Sequence, residues 1–141
     1  MKHVLASVIA ATGLCLAATV GMGQPLPGWA QRYGEAEQVA GKQIFYNHCV
    51  ACHVLKRGAH GYGPSLYGVV NRQAGSLPGF AYSDALKKSG LVWTEDNLQK
   101  WIGNNAALVP NTLMPHVSIS DPAEQIYVVA FLRTLKPRPS Q

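Results

Sequence analysis

Cys49, Val50, Ala51, Cys52 and His53 place two thiols three residues apart, with an imidazole directly after the second. Sulfurs at this spacing suit covalent addition to the two vinyl groups of a porphyrin whose iron the histidine binds, the chemistry of a c-type haem. On the first turn of a helix, residues three apart share a face, so both cysteines reach one edge of the macrocycle while His53 swings beneath it. A Cys-x-x-Cys pair also serves as a redox dithiol, as half of a zinc site or as a plain disulfide. A thioredoxin-like dithiol follows a β-strand, and a four-ligand zinc site needs a second Cys/His pair at metal spacing. The sequence offers neither, and haem attachment is the expectation.

The amino terminus bears on how those thiols are used. Met1 to Gly23 begins with Lys2, runs apolar from Val4 to Val20, and then meets Gly21 and Gly23. It reads as a secretory signal peptide, with a retained membrane anchor as the alternative. Lipid attachment at Cys15 is disfavoured because the large Leu14 precedes it. Export removes Cys15, leaving two cysteines, both in the motif, and no structural disulfide to assign. In an oxidising compartment such as the periplasm that pair would close on itself, and haem attachment offers another fate. After Val20 no apolar stretch is long enough to cross a bilayer.

At 141 residues the chain is one domain by size, and 48% apolar residues exclude a disordered tail. Losing Lys2 and no acid lowers the formal charge from +5 to +4. This is too weakly basic for a nucleic-acid binder, and Lys and Arg form no cluster.

Of three methionines, Met1 and Met22 fall within the signal stretch, leaving Met114 as the sole thioether of the mature chain. It lies between Pro110 and Pro115, in a loop stiff enough to hold a weak ligand against iron. A lone methionine is more often core filler, but the haem motif makes it a candidate axial ligand. His116, His60 and His48 are the rivals, and His60 reads better as a structural histidine bonded to a loop carbonyl.

The elements that must position these groups are helical. Residues 24–34, with Pro25, Pro27 and Gly28, read as an extended lead-in to a domain over 35–141. A helix from Glu35, with Val39, Gly41, Phe45 and Cys49 on one side, delivers the motif. Gly41 inside it costs about 1 kcal/mol against alanine, which points to a close crossing with another helix. From Lys56 to Gly79 the density of Gly, Pro and Ser excludes helix or central strand, and so long a loop needs a ligand to wrap. Ser83 to Lys88 forms a short helix ended by Gly90. Thr94 caps another, with Leu98, Trp101 and Ile102 inward. Asp121, Pro122 and Glu124 open a last helix with Ile126, Val129, Ala130 and Phe131 inward, running to about Leu135 and stopped by Pro137.

From Gly41 to about Leu135 the chain resembles a class I c-type cytochrome, of the mitochondrial cytochrome c and bacterial cytochrome c2 type. Gly41 to Phe45 looks like that family's first helix, and Cys49 to His53 like its haem motif. His60 with Gly63 and Pro64 resembles the loop whose proline carbonyl accepts a hydrogen bond from the iron-bound imidazole. The segments 71–75 and 78–82 resemble the part that folds beneath the propionates, Trp93 the propionate-binding indole, and Pro110 to Met114 the loop with the second axial ligand. The resemblance implies an all-α cytochrome c fold, several short helices and long loops around one covalently attached haem. It also implies that Arg72, Tyr82 and Trp93 satisfy the propionates, and that Thr112 donates to the Met114 sulfur or to buried water. A carboxylate in a poorly solvated pocket is costly unless donors surround it.

If His53 and Met114 fill both axial positions, the iron changes oxidation state but offers no site for substrate. The expected function is then single-electron transfer between larger redox proteins through the exposed haem edge, by a monomeric carrier with no catalytic residues. The alternatives are a haem subunit held in a dehydrogenase or oxidase complex, and a peroxidase or ligand sensor with a dissociable methionine. Departures from the family are local. Its docking lysines are replaced by His48, Ala106 and Leu113, Trp101 stands for a tyrosine, Asn105 for a proline, and the loop from His53 to Pro64 is one residue shorter.

Overall fold

The computed structural model describes residues 28–115 and 118–136, so the signal-peptide reading of residues 1–23, His116 and Pro137 lie outside it. Among the described residues four helices follow one another: α1 (Gly28–His48), α2 (Asp84–Lys88), α3 (Glu95–Leu108) and α4 (Pro122–Thr134). Among the described residues the sole β-pairing is an isolated bridge between Gln73 and Val92.

α1 crosses α4, and the crossing is close at Gly41, where a Cβ would overlap the carbonyl of Tyr127. The expected reason for that glycine holds. Four residues on, Phe45 is fully buried and its ring lies 5.5 Å from that of Phe131. Val39, expected on the same side, is 70% exposed. Two residues on a helix are separated by about 200°, so Val39 and Gly41 cannot share a face.

The helix also starts earlier than expected: residues 28–34 are helical, not extended. Pro27 is the last proline before the haem motif, so beyond it nothing clashes with a preceding carbonyl. The packed turns at Gly41 and Phe45 let the helix propagate backward through Gly34 despite its weak propensity.

Caps define the other helices, at Thr94 and Asp121 as expected and at Ser83, which caps α2 rather than opening it. The side chains of Ser83, Thr94 and Asp121 accept from the amides of Leu86, Asn97 and Ala123, satisfying donors that a helix start leaves open. Gly90 takes a left-handed conformation, φ +65°, just past α2. On α4, Val129, Ala130 and Phe131 are buried as expected, whereas Ile126 is half-exposed and Val128 and Leu132 are buried in its place. α4 lies against both α1 and α3, so its buried surface is broader than a single stripe.

The glycine-rich stretch is turns and bends, closed by backbone bonds to distant parts of the chain. The Gly68 amide donates to the Leu135 carbonyl at 2.8 Å, and the Asn71 amide to that of Trp93 at 2.9 Å. Trp93 in turn donates its amide to the Arg72 carbonyl at 2.9 Å, so residues 71–74 run against 91–93 and bring Arg72 beside Trp93. Asn71 and Asn111 adopt left-handed φ angles of 66° and 63°, which asparagine tolerates through its short polar side chain.

Candidate functional site

The motif occupies the turn that follows α1. The Cys49 amide donates to the Phe45 carbonyl at 2.8 Å, and the Cys52 and His53 amides donate to the Cys49 carbonyl at 3.1 Å and 2.9 Å, so turn bonds tie the motif to the end of α1. Cys49, Cys52 and His53 all border one cavity of about 290 Å³. Both thiols are free and partly buried. Burial, helped by the neighbouring Cys52, pushes the Cys49 thiol up to about 11.

His53 is buried, and its Nδ1–H donates to the Pro64 carbonyl at 2.8 Å. A carbonyl can only accept, so Nδ1 carries the proton and Nε2 keeps its lone pair for a metal. Desolvation lowers the histidine pKa and the Pro64 bond opposes that shift, so the imidazole is held neutral, as a ligand must be. Gly63 makes room for the ring: a Cβ there would lie 2.6 Å from the His53 Cε1.

Met114 reaches the same cavity from the loop after α3. Its sulfur accepts the indole N–H of Trp101 at 3.2 Å, and its carbonyl accepts the Asn105 side-chain amide at 3.0 Å. The donor that meets the sulfur is Trp101. Thr112, expected to donate to the sulfur or to buried water, borders the cavity, and its hydroxyl oxygen accepts the Met114 amide at 3.5 Å. Trp101 and Asn105 stand out in the sequence as departures from the family that bear on the potential or on loop stability, with no partner named for either. Their position on α3, one turn apart, was the signal that could have found them.

Between the two candidate ligands the lining is apolar, with Phe45, Leu66, Val69, Leu98 and Leu132 among it. Arg72, Tyr82 and Trp93 border the cavity as well. The Arg72 guanidinium donates to the carbonyls of Tyr67 at 3.1 Å and Ser65 at 3.0 Å, which holds the loop in place and leaves other N–H groups of the fork available. Burial raises the Tyr82 phenol above its usual value, while Arg72 and the Leu77 amide pull it down. Trp93 and Trp101 meet edge to face at 5.0 Å.

The rival histidines differ. His60 does not border the cavity: its Nε2–H donates to the Pro78 carbonyl at 3.0 Å and its Nδ1 accepts the Ser65 amide at 3.4 Å, the structural role expected of it. His48 borders the cavity from an exposed position. Among the described residues no three His, Cys, Asp or Glu side chains gather as a metal site. Two thiols, one neutral imidazole and one thioether around a single apolar cavity instead match the donor set of a covalently held iron porphyrin.

The comparisons agree. The sequence profile of the family described as Cytochrome c matches residues 38–136. The chain is 44% identical over 100 residues to cytochrome c2 of Rhodopila globiformis, covering 71% of this chain and 94% of that protein. It is 42% identical over 114 residues to cytochrome c2 of Rhodomicrobium vannielii, covering 80% and 90%. The solved structure of cytochrome cH from Methylobacterium extorquens superposes with a TM-score of 0.65 at 42% identity, covering 69% of this chain and 97% of that one. The chain belongs to the cytochrome c family, and it is an electron carrier with one covalently attached haem c rather than an enzyme.

Proposed function

We propose that His53 and Met114 are the two axial ligands of the iron, with Cys49 and Cys52 as its thioether anchors. The observation that carries this reading is that a neutral imidazole, fixed through Pro64, and a thioether, fixed through Trp101, border one apolar cavity. Haem c supplies a reversible one-electron couple when bound. The chain's part would be to hold the iron through His53 and Met114 together, which would leave oxygen, peroxide or substrate no place on it. A thioether favours the ferrous state, and the apolar lining works in the same direction, so the reduction potential is raised. Arg72, Tyr82 and Trp93, which border the cavity, would hold the haem propionates and would offset their burial with N–H and O–H donors.

The carrier works in the periplasm after loss of residues 1–23, passing electrons between larger redox proteins in short-lived encounters. Among the described residues no helix is long and apolar enough to cross a membrane. At the cavity mouth Leu113, one of the positions where the family has lysine, is 78% exposed and Tyr62 is 79% exposed, so the proposed docking face carries apolar side chains there.

The test is the absorption spectrum of the oxidised protein, which should carry the far-red methionine-to-iron band. Met114→Ala should abolish the band and let the reduced protein bind carbon monoxide. Survival of the band would assign the ligand elsewhere, and rapid carbon monoxide binding by the unsubstituted protein would favour a ligand sensor or peroxidase.

A further inference from the structure

Tyr62 and Leu113 are the two most exposed large apolar side chains among the described residues, and each stands beside one candidate axial ligand. Tyr62 precedes Gly63, which packs on the His53 ring, and Leu113 precedes Met114. Both border the cavity, so they flank its opening.

Each is displayed on a fixed backbone. The Gly63 amide donates to the Cys52 carbonyl at 2.8 Å and the Gly61 amide to the Gly63 carbonyl at 3.0 Å, which makes Tyr62 the tip of a turn clamped to the haem motif. A Cβ at Gly61 would lie 2.6 Å from the same Cys52 oxygen, so the turn is pressed against the motif. Leu113 lies between Pro110 and Pro115, and the Thr112 amide before it donates to the Val109 carbonyl at 3.3 Å. Side chains presented from such turns lose little freedom on contact. An apolar group facing water gains when a second surface covers it.

The face around them is poor in charge. Among the described residues that border the cavity there is no Lys, Asp or Glu, and the one guanidinium, Arg72, donates to the carbonyls of Tyr67 and Ser65. The other exposed residues at the opening include His48, Ala81 and Pro115. Lys87 and Lys100 lie off the opening and meet Asp84 and Asp96 on their own helices, at 4.0 Å and 2.7 Å. An acidic partner laid over this face would bury carboxylates with no lysine to meet them, which is costly.

We propose that Tyr62 and Leu113 are paired anchors for a redox partner whose own rim is apolar and uncharged, so that docking is held by burial of these side chains rather than steered by lysine. The proposal rests on the carrier reading above and names the partner surface which that reading leaves open.

Its test uses the reduced, haem-loaded protein and respiratory membranes of the source organism. KM is measured from about 0.01 M to about 0.15 M salt, over which the screening length shrinks from about 30 Å to about 8 Å. KM of the unsubstituted protein should change by less than about twofold, whereas a lysine-steered contact weakens about tenfold or more. Leu113→Lys and Tyr62→Ser should each raise KM about threefold to tenfold. A KM that climbs about tenfold with salt in the unsubstituted protein, or that Leu113→Lys lowers, reveals an acidic partner and overturns the proposal. A dimer in sedimentation that Leu113→Lys dissolves assigns the face to a second copy and overturns it too. The salt series needs no substitution, so it decides the matter even if a Leu113 variant fails to fold. Should ferricyanide oxidise the reduced protein while membranes do not, the shuttle reading and the docking proposal fall together. Salt-sensitive oxidation by membranes fells the docking proposal alone.

Discussion

The Pro64 carbonyl lies 2.8 Å from Nδ1 of His53, and that one bond selects which ring nitrogen is left to face the cavity. Gly63, the residue before Pro64, sits against the same ring. Turn and ligand are therefore set together, and neither can move without the other.

Gly63→Ala tests this directly. The added methyl would lie 2.6 Å from the His53 Cε1, so the ring or the turn has to give. Overpacking of this kind costs about 1–3 kcal/mol. Guanidinium unfolding of the haem-loaded protein should show a lower midpoint with an unchanged slope.

Gly41→Ala probes the crossing of α1 with α4. A Cβ meets the Tyr127 backbone, which cannot turn aside as a side chain would. The expected loss is about 1–3 kcal/mol, or roughly 4–8 °C in thermal midpoint per kcal/mol, despite the better helix propensity of alanine. A thermal melt followed by circular dichroism reads it, and an unchanged midpoint would mean the helices separate freely.

Tyr82 should titrate above its ordinary value of 10.0, because burial raises it more than Arg72 and the Leu77 amide lower it. A phenol with a raised folded pKa holds its proton longer folded than unfolded. Its contribution to stability is therefore complete below pH 10 and is lost as pH rises through the folded value. The phenolate difference spectrum between the unsubstituted protein and Tyr82→Phe should show a midpoint above pH 10.

Leu113→Ser removes an exposed side chain from the cavity mouth and touches no buried core. Oxidation of the reduced protein by respiratory membranes should show KM raised about threefold to tenfold with kcat and thermal midpoint unchanged. An unaltered KM would place the docking face elsewhere.

The haem motif, the methionine loop and the caps at Thr94 and Asp121 were legible because each is a local pattern: spacing within a turn, or a capping side chain beside the amide it satisfies. Val39 and Ile126 were misplaced because apolar type alone does not say which way a helix turns its faces, and the second helix that decides it is distant in sequence. The start of α1 was hidden for a similar reason, since packing at Gly41 and Phe45 extends a segment whose own composition reads as coil. Trp101 and Asn105 stood in plain view as departures from the family. Their partner, Met114, lies across a loop, beyond the reach of any local spacing pattern.

Cys49 carries its thiol at about 11 inside the closed fold, so at neutral pH almost none of it is the reactive thiolate. Burial at this position therefore works against addition of the sulfur to a vinyl group once the chain has closed, and favours attachment while the thiol is solvated. The wall that shelters the cofactor is also a wall against its late arrival.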